Sequence, residues 1–393
     1  MKKFLYTLIL LTLLMTACGT IAPLPTTTPS PSATPTETSL PTATFTPLPP
    51  TETPTITPSP TPLYPPEGLG PSNFPVGVDP LTGLQVADPA LLERRPLAIK
   101  VSNLPRSNRP QWGLSLADIV YEYYTEEGST RFIALFYGND ASRVGPIRSA
   151  RFFDLNVVRG YKAVFAFGSA YVVEMNRLLN SEFVNRLVVE GTNTPLTRFD
   201  PNGSNDLVVN TADLSAYLTR QGVENGRQNL DGMFFKLEPP ANDQTVNQVF
   251  VRYSAAIYNR WDYDAASGKY LRFSDTIEDL NSGQGEQYAQ LTDRLTNQPI
   301  AIDNLVVLYV NHETYSANIY DILFSGAGSG YAFRDGKAFQ INWQRNATDV
   351  VSLSNPDGTP FPFRPGTTWF EVMGLNTLLS QGDKGWRFTH LMP

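Results

Sequence analysis

Residues 119–137 read Ile-Val-Tyr-Glu-Tyr-Tyr-Thr-Glu-Glu-Gly-Ser-Thr-Arg-Phe-Ile-Ala-Leu-Phe-Tyr. Two runs rich in β-branched and aromatic residues, 119–127 and 130–137, flank Gly128-Ser129. Gly at the first central position of a two-residue loop is what a type II′ hairpin needs. That turn sets a register in which Glu127 faces Thr130 and Glu126 faces Arg131, a predicted cross-strand ion pair. Val120, Glu122, Tyr124 and Glu126 then share a face with Arg131, Ile133, Leu135 and Tyr137. Glu122, opposite Leu135, needs a polar partner deep in the sheet.

The chain around this hairpin alternates strands and helices. Asp79-Pro80-Leu81-Thr82-Gly83-Leu84 reads as a turn, and Pro96 to Val101 as a strand. Residues 139–149 form a loop containing Gly145-Pro146-Ile147-Arg148-Ser149, and a helix opens at Arg148 or Ser149 and runs to about Arg159. Arg148 and Arg151, three apart, then project from one side of its first turn. Cations there oppose the helix dipole, so an anion should complete the site: a protein carboxylate, or a ligand phosphate or carboxylate. Ala163 to Phe167 is a short strand. A helix follows with Val172, Met175 and Leu179 at core spacing, and another covers Ala212 to Gln221 with Thr211 as its cap.

Beyond residue 243 the period changes to that of strands. Residues 246–253, 257–263, 269–273, 302–310, 320–325, 330–334, 338–343 and 367–373 all have strand composition. Asp335-Gly336 marks a type I′ hairpin. Residues 275–297 form a long polar excursion whose Asp275, Glu278 and Asp279 read as a solvated rim. The glycine-rich stretch 326–330 is turn-like and matches no phosphate-binding loop. The fold class is therefore α+β: an N-terminal α/β domain with a mixed sheet, residues 77–238, followed by a mostly antiparallel β domain, residues 243–393.

Composition bounds the chemistry. The 393 residues carry a net charge of -7, one Cys, two His and 33 Pro. One Cys excludes an intramolecular disulfide and a Cys-rich zinc site, and two His make no multi-His centre, so we expect neither metal nor cofactor. The acidic balance offers no footprint for nucleic acid. Of the 33 prolines, 15 fall between Gly19 and Pro66. That Thr/Pro stretch cannot offset its ordering entropy by burial. At about 3.1 Å per residue in polyproline II it could reach roughly 150 Å. We read residues 19–76 as a disordered stalk.

Ahead of it, Met1-Lys2-Lys3 and the apolar run Phe4–Met15 suit a signal peptide and are too short to span a bilayer. Met15-Thr16-Ala17-Cys18 resembles a bacterial lipobox, with Met15 where Leu is usual. That resemblance implies lipidation at Cys18, removal of residues 1–17 and anchoring at the extracytoplasmic face of the cell membrane.

Several runs resemble the YerB-like lipoproteins, a bacterial family of two adjoining domains of unknown function. They are Asp79–Leu84, Arg109–Glu122 (RPQWGLSLADIVYE), Gly128–Arg131 (GSTR), Gly145–Arg151 (GPIRSAR), Gly330–Trp343 and Pro365–Trp369 (PGTTW), within residues 79–373. The family often has a Pro-His-Asn segment after the Arg corresponding to Arg198. Here residues 198–205 contain no His. The resemblance implies a two-domain surface lipoprotein and supplies no reaction.

The polar residues in these runs nominate a ligand site of Asn103, Arg109, Glu122, Arg131, Arg148 and Arg151, set against the alternative of a structural ion-pair network. Neither His312 nor His390 accompanies a nucleophile elbow. Trp343, Trp369 and Trp386 read as core rather than a sugar platform. The functional expectation is a lipid-anchored, non-catalytic module. Its partner would be an envelope polymer such as peptidoglycan, or an envelope protein. The alternative is a carboxylate-dependent cell-wall glycan hydrolase using Glu122 with Glu126 or Glu127. The two carboxylates Glu122 and Glu126 would lie about 13 Å apart on one strand face, too far for either usual mechanism unless the strand bends.

Overall fold

The computed structural model describes residues 64–391 apart from 204, 242, 243 and 384. The expected signal, Cys18 and the Thr/Pro stretch to residue 63 lie outside the described residues. Residues 64–76, read above as the end of the stalk, belong to the head instead. Leu69 and Phe235 exchange two backbone hydrogen bonds of 2.8 Å, Gly232 N–H donates to Pro71 O, and Tyr64 and Phe74 pack on the core.

A ten-stranded mixed sheet forms the centre. Its order is Ser352–Ser354, Lys337–Arg345, Gly326–Arg334, Asn304–Val310, Thr368–Gly374, Ile119–Tyr124 (β2), Thr130–Phe136 (β3), Leu97–Ser102 (β1), Val164–Phe167 and Leu187–Val189. Strands from both halves of the sequence therefore share one sheet, joined where β2 runs parallel to Thr368–Gly374. A second sheet, from residues after 243, is mostly antiparallel; Gly385–Thr389 runs parallel to Gln248–Arg252. Apolar side chains cover both faces of the central sheet. One face, with Tyr121, Tyr123, Ile133 and Leu135, packs on helices α1 (Phe152–Gly160) and α2 (Val172–Leu179). The other, with Val120, Phe132, Ala134 and Trp369, packs on Val249, Val251 and Trp261 of the second sheet and on helix α3 (Thr211–Arg220).

The β2–β3 hairpin differs from the expected register. Tyr124 pairs with Thr130, Tyr123 with Arg131 and Glu122 with Phe132, a shift of three residues. Thr125–Ser129 form a wider loop, with Glu127 and Gly128 both at positive φ. Side chains hold it: Thr125 Oγ1 and Ser129 Oγ are 2.7 Å apart, Ser129 Oγ donates to Glu126 O, and Gly128 N–H donates to Tyr124 Oη. These local bonds outcompete the two-residue turn. The shift moves Glu122 from Arg131's face to the face of Thr130 and Phe132.

Helix α1 starts later than expected, with Arg151 as its N-cap. Residues 147–150 are held extended because their N–H groups go elsewhere: Ile147 to Leu207 O, Arg148 to Lys100 O and Ala150 to Ser169 O. Arg148 is thus a loop residue and does not share a helical turn with Arg151. In α2 the buried residues are Glu174 and Leu178, with Met175 half-buried, whereas Val172 and Leu179 are exposed. In α3 the cap is Asn210, whose Oδ1 accepts from Ala212 and Asp213 N–H.

The second half follows the strand reading closely. Asp335 and Gly336 have φ of 53° and 70° between paired Arg334 and Lys337, as a type I′ turn requires. The glycine-rich stretch 326–330 is strand rather than turn. Gly330 lets Val307 O approach, and Gly328 lies under the Trp343 indole.

Candidate functional site

The central sheet separates the six nominated residues into two groups. On the face toward the second sheet, Glu122 is fully buried. Its Oε1 accepts from Asn103 Nδ2 (3.1 Å) and Thr130 Oγ1 (2.7 Å), and its Oε2 from Arg272 (2.7 Å). Glu371 stands beside it on the neighbouring strand. It accepts from Trp261 Nε1 (3.0 Å), Tyr253 Oη (3.0 Å) and the same Arg272 (3.3 Å). Burial, then the charge of Glu122, pushes the Glu371 carboxyl up to about 8, against the opposing pull of Arg272 and its two hydrogen bonds. Arg109 donates from Nε to Asn103 Oδ1 (2.9 Å) and from its terminal nitrogens to Asp275. This group is a closed network linking both sheets.

On the helical face, Arg131 donates to Glu126 Oε1 (2.7 Å) and Ser149 O (2.8 Å). Arg151 grips both oxygens of Glu126, and lies 3.6 Å from Glu174. The Glu126–Arg131 pair therefore forms despite the shifted register, because Glu126 folds back from the loop. Burial alone would raise the Glu126 carboxyl, but the Arg151 hydrogen bonds and the charges of Arg131 and Arg151 hold it below the usual range. Arg148 bonds Asn205 and leaves a buried Nε without a partner. Its guanidinium is lowered by burial and then by Arg151. Arg131 is brought down to about 10 by the same two causes.

Next to this cluster lies an open cleft of about 420 Å³. Glu126, Arg151, Tyr171 and Glu174 line one side, and residues 316–319 line the other. Residues 316–319 are the tip of a hairpin formed by His312–Ser316 and Ile319–Ile322. A larger cleft of about 770 Å³ flanks the same hairpin, lined among others by Phe152, Asn176, Arg177, Tyr315 and Asp321. Of the six nominated residues Arg151 lines the first of these two clefts, and none lines the second. Glu122 and Glu126 reach opposite faces of the sheet, so they do not flank a common space. Asp275 and Asp279 are buried rather than rim residues. Arg106 and Arg109 hold Asp275, while Arg252 holds Asp279. Trp343, Trp369 and Trp386 are buried.

Three buried groupings escaped the sequence reading. Glu371 and Arg272 come from strands far from Glu122 in sequence. Lys100, fully buried, bonds Tyr123 Oη and Asp154 Oδ1 (3.0 Å), and burial brings its amine down to about 7 despite Asp154. The chain's two histidines meet at 5.1 Å between ring centroids. His312 Nδ1 lies 2.9 Å from Val310 O and His390 Nδ1 accepts from Gly374 N–H, leaving both Nε2 atoms buried without partners. A charged residue inside an apolar strand run, Lys100 in Leu97–Ser102 and Glu122 in Ile119–Tyr124, was the available signal for such pairs, but no local pattern names their partners. Among the described residues, no group of three or more His, Cys, Asp or Glu is placed to hold a metal ion.

Comparison with known proteins fits this architecture. Residues 81–224 match the "Protein of unknown function (DUF3048) N-terminal domain", and residues 249–370 match the corresponding C-terminal domain. The chain is 28% identical over 308 residues to "Putative lipoprotein YerB" of Bacillus subtilis (strain 168), covering 75% of this chain and 85% of that protein. The crystal structure of the Bacillus subtilis YerB protein superposes with a TM-score of 0.62 at 25% identity, covering 75% of this chain and 96% of that one. No helix among the described residues is long and apolar enough to cross a membrane. With both domain models matched in order, the chain belongs to the YerB-like family of adjoining DUF3048 N- and C-terminal domains.

Proposed function

We propose that this is a lipid-anchored cell-envelope protein, tethered through Cys18 and its Thr/Pro stretch, whose head binds a charged envelope polymer at the Arg151 cleft. The observation that carries the reading is a charge imbalance beside an open space. Arg131 and Arg151 both bond Glu126, Arg148 stands close by, and the cleft opens at Arg151. Glu174, 3.6 Å from Arg151, is the second carboxylate of the cleft, so three guanidinium groups face two carboxylates. A polymer bearing carboxylates, such as peptidoglycan with its stem peptides, would supply the missing negative charge. The name of the Bacillus subtilis relative supports the lipid anchor.

The test is co-sedimentation of residues 19–393 with purified peptidoglycan, beside an Arg148→Ala/Arg151→Ala variant whose folding is checked by its melting curve. Binding by the parent and loss in the variant is the expected result. If neither protein sediments with the polymer, the polymer reading fails and an envelope protein partner takes its place.

A further inference from the structure

Two arginines converge on one indole away from that cleft. The guanidinium carbons of Arg143 and Arg294 lie 5.7 and 4.2 Å from the Trp112 ring centroid. The Phe199 ring, 42% exposed, sits 4.7 Å from Trp112. Backbone pairing fixes this meeting. Trp112 and Gly145 exchange hydrogen bonds of 2.8 and 3.2 Å, which ties Trp112 to the loop carrying Arg143. Arg294 N–H donates to Gln111 O at 2.7 Å, next to the same indole.

Unlike the arginines nearest them, these two cations have no anionic partner among the described residues. The neighbouring Arg106 and Arg109 hold Asp275, and Arg198 holds Glu190 and Asp206. Among the described residues, no carboxylate lies within ion-pair distance of Arg143 or Arg294. Arg294 spends one N–H on Arg109 O at 3.4 Å. Both are exposed. In a chain of net charge -7 this is not a shortage of acids. Two like charges against one indole repel each other, while the cation–π contact leaves their N–H edges available.

We infer that Arg143, Arg294, Trp112 and Phe199 form a binding site for the phosphodiester groups of a soluble anionic polymer. Each guanidinium presents a planar fork that matches two phosphate oxygens. Each of the two charged oxygens of a phosphodiester can accept from a different guanidinium, so one group, or two successive groups of a polymer, can serve both cations and relieve their repulsion. Phe199 covers the apolar carbons that flank the phosphate. The site uses none of the residues of the Arg151 cleft and stands independently of it.

The full chain in neutral-detergent micelles, titrated with a glycerol-phosphate polymer, gives the test. Trp112, itself buried, is the tryptophan in contact with both guanidinium groups, so its share of the fluorescence response is identified by the loss of signal in Trp112→Phe. A saturable signal is expected, weakened at least tenfold in Arg143→Gln/Arg294→Gln and unchanged in Arg220→Gln, an exposed arginine outside both sites. The single Arg143→Lys variant, which keeps the charge and loses the fork, should fall between parent and double variant, and serves alone should the double variant fail to fold. Equal affinity in the parent and the Arg143 variants overturns the proposal. So does a response that sodium chloride reproduces at equal ionic strength. A signal seen only when the micelles contain phosphatidylglycerol, and not with the polymer, also overturns it and assigns the patch to the lipid surface.

Discussion

Glu122 and Glu371 lie directly opposite one another on adjacent parallel strands, both fully buried, and the guanidinium of Arg272 from the second sheet reaches both, at 2.7 and 3.3 Å. Two carboxylates facing one cation cannot both ionise cheaply in a dry interior. This arrangement joins the two halves of the family's sequence in one polar latch, so its protonation couples to the stability of the whole head.

The Glu371 carboxyl is raised to about 8 from an ordinary value near 4.5, chiefly by burial. The folded state therefore binds more protons than the unfolded state between those values, and stability falls as pH rises through that window. The slope contributed is up to about 1.4 kcal/mol per pH unit. Denaturant midpoints between pH 6.5 and 8.5 should decline in the parent and stay flat for this contribution in Glu371→Gln. Parallel slopes in the two proteins would show that Glu371 is not the group responsible.

The histidine pair has the opposite sign. Burial lowers His312 to about 4; burial and then His312 lower His390 to about 3. Each contribution is complete above the unfolded value near 6.5 and is lost as pH falls toward 4. His312 begins the hairpin that walls both clefts, so hydrogen-exchange protection factors across residues 312–322, corrected for the intrinsic rate at each pH, should fall from pH 7 to pH 5. His390→Phe should blunt that loss of protection.

Lys100 and Asp154 bury opposite charges with Tyr123 between β1, β2 and α1. Lys100→Met leaves Asp154 with its Tyr123 and Arg151 N–H hydrogen bonds but without its cation. Removing one member of a buried pair costs about 3–5 kcal/mol. A Lys100→Met/Asp154→Leu double variant should recover part of that loss in the same urea titration. A single variant as stable as the parent would contradict the burial seen here.

A Cβ on Gly330 would sit 2.2 Å from Val307 O in the paired strand. Backbone cannot yield there without breaking the central ladder. Gly330→Ala should therefore lower stability by at least about 2 kcal/mol, at the upper end for single substitutions. Gly358→Ala serves as a milder comparison, since its side of the turn is open although its φ is positive.

Local signals carried much of the fold. Strand composition and Asp-Gly chemistry placed most strands after residue 243, and the motif runs led to the right family. Errors arose where one local preference met another or met tertiary pairing. Gly128-Ser129 suits a tight turn, yet hydroxyl bonds from Thr125 and Ser129 stabilise a wider loop. A helix could begin at Arg148, yet the N–H groups of Ile147, Arg148 and Ala150 are taken by other segments. Val172, Met175 and Leu179 have helical spacing, but the packed face is set by Glu174 and Leu178.

Turn residues and the period of the apolar residues determined the strands and turns of the head, because these are set by backbone freedom and side-chain period within a few residues. Which charges meet was decided only by the tertiary structure. Glu122 finds Arg272 and Glu371 across 150 and 249 positions of sequence, and no local preference encodes such meetings. They follow from a shared sheet and a shared core, where burial makes every unpaired charge costly and so forces a partner.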